Sequence, residues 1–592
     1  MGFKDIRMVS TLRWLVAWIL DHIHQVRQRK ERKRMMQKIT AIDTEFFKHT
    51  GPLHRPGGKF ACLSTTDGLA GQTKGTLYVD KPTTKKYLLG LKKSSGVIAI
   101  QNALYDIRQL RHHGLWPQGW EPRIWDTMMV EQDLFGGWYQ TFNLQAIARR
   151  WLQIHLPKET VSDFIDADKL TAEMKKYALN DSKVTGKIAE CQREYVANEY
   201  ENEFPWYWEV DVPAMYAVMD MPPVRIDVDG WLAYAEELLA EGLQIQDELG
   251  FNVKSNPQVA AALRSAGYKL RKGTSLDQNT LMELASVSRD KSKVLLEMIL
   301  RARHCRDAHS KYGTKFIEEN VEDGCWIYPN WKVTGPETGR MACADPNMQN
   351  IPKKGEGLIY RSFFLATQGG ILLKADVEQQ EPTCSAQLSG DMVLRAEIEN
   401  EVDLHQLYAD FFGVDRPMGK KIHLSLNYGK TAWGLAQDLG RDVAEIEESL
   451  RARRLHYPMY HSWMDRQERQ AERVHYVNSI MGGRIWTNPY SFQQPFNAKN
   501  GPVQRSAAEQ TKLALGYFRE LCKVKDLPFV INLVVHDEMV ADIPDPKLLK
   551  VYKKIMQDAW QEAGHKIVPS LPTRIVMNTG TDWRMKSDPG DS

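Results

Sequence analysis

Phe529-Val-Ile-Asn-Leu-Val-Val-His-Asp-Glu-Met-Val-Ala-Asp-Ile543 reads as two apolar β segments that meet at a polar tip carrying His536, Asp537 and Glu538. A hairpin bearing surface acids would be unremarkable alone. About 160 residues earlier, Ile371-Leu-Leu-Lys-Ala-Asp376 is another apolar strand ending in a carboxylate, followed by Val377-Glu-Gln379-Gln-Glu381. Between the two lies Asp415-Arg-Pro-Met-Gly-Lys-Lys-Ile-His-Leu-Ser-Leu-Asn-Tyr428-Gly429. Asp415 is suited to cap a helix and Pro417 is tolerated in its first turn. Arg416, Lys420, Leu424 and Tyr428 then recur every four residues along one face. An arginine and a lysine so spaced are, taken alone, an ordinary solvated face.

Upstream, Thr338-Gly-Arg-Met-Ala-Cys-Ala-Asp-Pro-Asn-Met-Gln-Asn-Ile-Pro352 is a run of turn formers and amides. In order and at these distances, the segments resemble bacterial polymerase I, a family A DNA polymerase. The resemblance implies that Asp376 and Asp537 bind two Mg²⁺ ions, with Mn²⁺ as a substitute, and that Glu538 supports them. It implies a nucleotide-binding helix carrying Arg416, Lys420, Leu424 and Tyr428, with Gln379, Glu381 and His405 also at the incoming dNTP and Glu381 against its 2′ position. Arg340, Gln349, Asn350, Asn500, Gln504 and His536 are implied DNA contacts. Amide and guanidinium donors suit a minor groove whose acceptors lie alike in every Watson–Crick pair. Departures from the family pattern are Thr383 and Phe496, each where an arginine is common, and Leu424 in place of Phe or Tyr. The short interval from His405 to Arg416 is more similar to phage-encoded members.

Towards the amino terminus, Lys38-Ile-Thr-Ala-Ile-Asp-Thr-Glu-Phe-Phe47 is β-rich, and the two-residue step from Asp43 to Glu45 puts both carboxylates on one face. Like charges so close are costly unless a cation joins them. Gly96 to Asp106 reads as a buried strand entering a helix, with Asn102 and Asp106 at i, i+4, and Tyr177 and Asp181 share a helix face. Together with Trp125-Asp-Thr-Met and Leu144-Gln-Ala-Ile-Ala-Arg-Arg-Trp-Leu152, these motifs resemble the proofreading 3′→5′ exonuclease of polymerase I. The resemblance implies metal binding by Asp43, Glu45, Asp106 and Asp181, a water oriented by Tyr177, and single-stranded DNA 3′ ends as substrate.

The expected fold is α/β and α+β multidomain: a ribonuclease H-like exonuclease domain at 38–200, then a right-hand polymerase domain at 201–592. Within the latter a thumb is expected at about 225–322, a palm at about 323–395 and 496–592, and fingers at about 396–495. Helices are predicted for Trp231 to Leu249 and Asp290 to Phe316 around a polar stretch at 272–279. Residues 1–37 read as a basic helical extension, too short for a 5′-nuclease. The apolar run in it spans about 12 residues where a membrane helix needs roughly 20, so no stable membrane association is expected.

Composition adds bounds rather than identity. A chain of 592 residues exceeds one hydrophobic core. With 78 basic against 75 acidic residues, any grip on nucleic acid must come from local patches. Seven cysteines without a CxxC pair argue against structural zinc or disulfides and for a reducing, cytoplasmic setting, that of a host cell for a phage protein. The implied partners are primer-template DNA and dNTPs, with replisome proteins unspecified. A single-subunit RNA polymerase is opposed by Glu381 and by the upstream nuclease. An inactive DNA-binding scaffold is opposed by retention of every acid.

Overall fold

The computed structural model describes residues 38–48, 55–67, 74–94, 96–156, 163–200, 204–271, 273–353, 355–427, 429–490 and 494–585. The expected N-terminal extension and Tyr428 lie outside the described residues. Strand β1 (Ile39–Phe47) is the centre of a five-stranded sheet of order β3-β2-β1-β4-β5. It pairs antiparallel with β2 (Lys59–Asp67), which in turn pairs antiparallel with β3 (Lys74–Tyr78). On its other side, β4 (Val97–Ile100) and β5 (Arg123–Asp126) run parallel to it. Ala41, Ile42 and Phe46 are buried, the apolar character expected of a strand covered on both faces.

Short turns bring helices onto this sheet. Asn102, at φ 63, turns the chain from β4 directly into α1 (Ala103–His112). The buried Asp126 carboxylate accepts the N–H groups of Asn102 and Ala103 at 3.1 and 2.8 Å, and those of Met128 and Met129 at the start of α2 (Thr127–Phe135) at 2.9 and 3.2 Å. One carboxylate thus satisfies orphan donors at two helix N-termini, whose positive ends offset the cost of burying it. The long α3 (Ala172–Glu199) starts at a Thr171 cap and crosses β1 so closely at Gly186 that an added Cβ would lie 3.3 Å from the Ala41 methyl.

A helical arm follows, with α4 (Val228–Leu249) packed along α5 (Asp290–Tyr312). The second helix ends at Tyr312 rather than Phe316. At Gly313 the backbone folds down on the His309 carbonyl, where a Cβ would sit 2.4 Å from the oxygen, and a separate helix, Thr314–Asn320, continues. Trp231, fully buried, fixes the base of the arm by donating to the Tyr312 carbonyl at 2.7 Å. The expected polar stretch becomes helical at Gln278, because the Asp277 carboxylate caps Gln278–Val287 through Thr280 N–H at 2.9 Å.

The C-terminal half is built on β6 (Ile371–Val377), which leads into α6 (Gln380–Ser389) and then a helical lobe containing α7 (Leu404–Phe412) and α8 (Arg416–Asn427). The chain returns through the 31-residue α9 (Gln494–Val524), β7 (Ile531–Val535), β8 (Glu538–Ile543), α10 (Leu549–Ile567) and β9 (Ile575–Gly580). The four strands form an antiparallel sheet of order β7-β8-β6-β9. α9 and α10 pack against each other, and α10 contacts β6 and β9. No helix among the described residues is long and apolar enough to cross a membrane, and all seven cysteines are free.

Candidate active sites

The first acidic centre lies on β1 and α3. Asp43, Glu45 and Asp181 each offer a carboxylate oxygen within 4.8 Å of the others. At that separation like charges repel by roughly 3 kcal/mol per pair at an effective dielectric near 20. The centre therefore holds protons or a cation. Burial, and then the neighbouring acids, push Glu45 up to about 8, and Asp43 also rises well above the usual carboxylate range. Burial raises Asp181 to about 6 against a hydrogen bond from Tyr177. Asp106, on α1, is raised by burial to about 7 although it accepts from Thr44 N–H at 2.9 Å and Thr44 Oγ1 at 2.5 Å. Asp43 Oδ2 is buried without a hydrogen-bond partner. An all-oxygen donor set with one orphaned ligand atom fits a hard divalent cation such as Mg²⁺. Thr44, which ties Asp106 to the strand, was missed in the sequence because the residue between two spaced acids carries no signal of its own.

At the second centre, Asp376 on β6 is paired in register with Glu538 on β8, and Asp537 occupies the adjoining turn. Burial, then Asp537 and Glu538, raise Asp376 to about 7, and burial raises Asp537. Lys353 opposes both shifts and is a second residue that the sequence did not single out. Among the described residues no ion pair engages Asp376 or Asp537, so both carboxylates are available to a cation. Glu538 differs: its Oε1 accepts from Arg361 at 3.2 Å and from Trp583 Nε1 at 2.6 Å, all three side chains being buried.

A cavity of about 780 Å³ opens beside Asp537. Its walls include Gln379, Glu381, His405, Arg416, Lys420 and Leu424, together with Arg340, Gln349 and His536. Asp376, Asn350, Asn500 and Gln504 are not among its walls. On α8, Arg416, Lys420 and Leu424 are exposed on one face while Ile422 and His423 are buried against α7. Gly419 permits that packing, since a Cβ there would lie 2.4 Å from the His405 carbonyl. Asp415 caps the helix through Met418 N–H at 2.9 Å. Asp403 caps α7 and also holds Arg416 at 2.5 Å. His405 Nδ1 lies 3.2 Å from His423 Nδ1, and burial pushes His423 down to about 3 and also lowers His405.

The expected DNA contacts are dispersed around this space. Arg340 is ion-paired with Glu381 across the cavity. Gln349 donates to the carbonyls of Met341 and Val534, both at 3.3 Å. Asn350 accepts the Tyr312 hydroxyl on its backbone carbonyl at 3.1 Å, Asn500 is buried, and Gln504 is half-buried on α9. Phe496 packs where Gly429 leaves room, an added Cβ there falling 1.7 Å from the ring. Thr383 donates to the Gln379 carbonyl at 2.8 Å.

Residues 233–585 match the model of DNA polymerase family A, and the chain belongs to that family. Its C-terminal lobes are accordingly the palm, fingers and thumb of the polymerase fold. DNA polymerase I of Caldicellulosiruptor bescii is 27% identical over 403 residues, covering 63% of this chain and 46% of that protein. DNA polymerase I of Aquifex aeolicus is 24% identical over 520 residues, covering 81% of this chain and 87% of that one. The chain spans about half the length of the Caldicellulosiruptor bescii protein and of several other curated relatives. A similar solved structure is the POL domain of Pol1 from M. smegmatis in complex with DNA primer-template and dNTP. It has a TM-score of 0.78 at 19% identity, covering 94% of this chain and 98% of that one.

Proposed function

We propose that this chain is a primer-dependent DNA polymerase with a separate 3′→5′ exonuclease centre in a ribonuclease H-like N-terminal domain, and that it is a phage-encoded member. The observation that carries the reading is the cavity that gathers Asp537, Glu381, His405, Arg416, Lys420 and Leu424 in a family A palm and fingers. The solved relative's complex with primer-template and dNTP supports the same substrates here.

Asp376 and Asp537 would hold Mg²⁺ at the palm, and Asp43, Glu45, Asp106 and Asp181 would hold it at the nuclease. When bound, the metal makes the attacking oxygen more acidic and neutralises charge on the leaving group. Arg416 and Lys420, one helical turn apart, present cationic donors to the triphosphate. His405, whose charged form burial disfavours, offers a ring N–H. Glu381, fixed by Arg340, stands against the sugar and crowds a 2′-hydroxyl. Glu538 acts at one remove, anchoring β8 to Arg361 and Trp583 so that the Asp537 turn stays in place. In the nuclease, the Tyr177 hydroxyl, beside Asp181, would orient the attacking water.

Primer extension with Mg²⁺ and either dNTPs or NTPs tests the assignment. Template-dependent extension with dNTPs in strong preference to NTPs is expected. Extension with NTPs alone, or none with either, would overturn it.

A further inference from the structure

A buried ionic cluster joins the N-terminal domain to the palm. Arg505, on α9, donates from Nη2 to Asp133 of α2 at 2.8 Å, from Nε to Glu509 at 3.3 Å and from Nη1 to the Arg484 carbonyl at 3.1 Å. The Arg505, Asp133 and Glu509 side chains are each no more than 3% exposed. Lys512, about two turns beyond Arg505 along α9, is paired with Asp211 in the segment linking the two halves of the chain. Pulling so desolvated an arginine away from its acids would leave a buried charge unpaired, which is costly.

The polymerase site rests on this cluster from two directions. Gly339 faces the Arg505 guanidinium with room for no more than a methyl between them, an added Cβ falling 3.5 Å from Cζ, and the next residue, Arg340, is the ion-pair partner of Glu381. From the other side Gln380, adjacent to Glu381, donates to Ala507 O, Gln510 Oε1 and Thr511 Oγ1 at 3.1–3.2 Å, all within two turns of Arg505 on the same helix. Glu381 thus lies between a loop that runs beside Arg505 and a helix hydrogen-bonded to α9.

We infer that Arg505, anchored by Asp133 of the nuclease domain, is a positioning residue for sugar selection: it fixes the Gly339–Arg340 loop and thereby the place of Glu381. This rests on the reading of Glu381 as the residue that excludes the 2′-hydroxyl. The sugar gate is thus tied to the neighbouring domain.

The test is Arg505→Met, which keeps volume and lets the freed acids protonate, alongside Arg505→Met/Glu509→Gln, which removes one of those acids. The readout is the ratio of kcat/KM for rNTP over dNTP, which cancels any loss of folded enzyme. Digestion of single-stranded DNA is followed in the same preparations. A ratio raised at least about threefold in both variants, with digestion within about twofold of the parent, is expected. Glu381→Ala serves as control. If it raises the ratio while both Arg505 variants leave it unchanged, the positioning role is wrong and the gate stands. If Glu381→Ala itself leaves the ratio unchanged, the gate assignment fails and the inference falls with it.

Discussion

Glu538 and Asp537 are adjacent in sequence but serve different partners: Glu538 is bound by Arg361 and Trp583, whereas no ion pair among the described residues engages Asp537. Asp537→Asn should lower primer extension by roughly a thousandfold, on the scale of losing a transition-state charge stabiliser. Glu538→Gln keeps an acceptor for Trp583 and should retain far more activity. It leaves Arg361 buried without its counter-charge, at a cost of about 3 kcal/mol or more in stability. Steady-state extension and thermal unfolding of the two variants separate the roles; equal activity loss in both would place Glu538 among the catalytic acids.

Metal affinity at the proposed nuclease centre should rise with pH. Glu45 and Asp106 are raised to about 8 and about 7, so without metal the folded state binds more protons than the unfolded state above the ordinary carboxylate range. Its stability falls as pH climbs towards 8. A cation must displace those protons, so Mg²⁺ should raise Tm more at about pH 8 than at about pH 6. Asp43→Ala/Glu45→Ala should shrink that difference. A larger Mg²⁺ effect at the lower pH would contradict the assigned ligands.

Leu424, exposed on the cavity wall, lacks both an aromatic face and a hydroxyl. By resemblance to members with Tyr at this place, Leu424→Tyr should improve dideoxynucleotide use strongly. Leu424→Phe should only speed extension, by an aromatic contact of about 0.5–1.5 kcal/mol. Competition between ddNTP and dNTP is the measurement. Equal selectivity in the two variants would mean that residue 424 does not face the sugar.

The sequence made legible what local periodicity carries. Asp43 and Glu45 follow the two-residue step of a strand, and Arg416, Lys420 and Leu424 follow the turn of a helix, so spacing alone put each set on one face. Directions set by tertiary packing were not legible. Nothing local says that Glu538 turns to Arg361, that Arg340 reaches Glu381, or that Asp133 meets Arg505 from the far side of the chain. The break at Gly313 escaped for a related reason: the helical pattern runs through it, and the close approach to His309 decides. Strand β9 carries no acid and no turn signature, and is defined only by its pairing with β6.

Separate acid substitutions test most directly whether the two proposed catalytic centres act independently in one chain. Each variant would be assayed for digestion of a single-stranded primer and for extension of a matched primer-template in Mg²⁺. Asp43→Ala/Glu45→Ala should abolish digestion and leave extension largely intact, while Asp376→Ala should abolish extension and spare digestion. Loss of both activities in a correctly folded Asp43→Ala/Glu45→Ala protein would mean that the two centres are not independent.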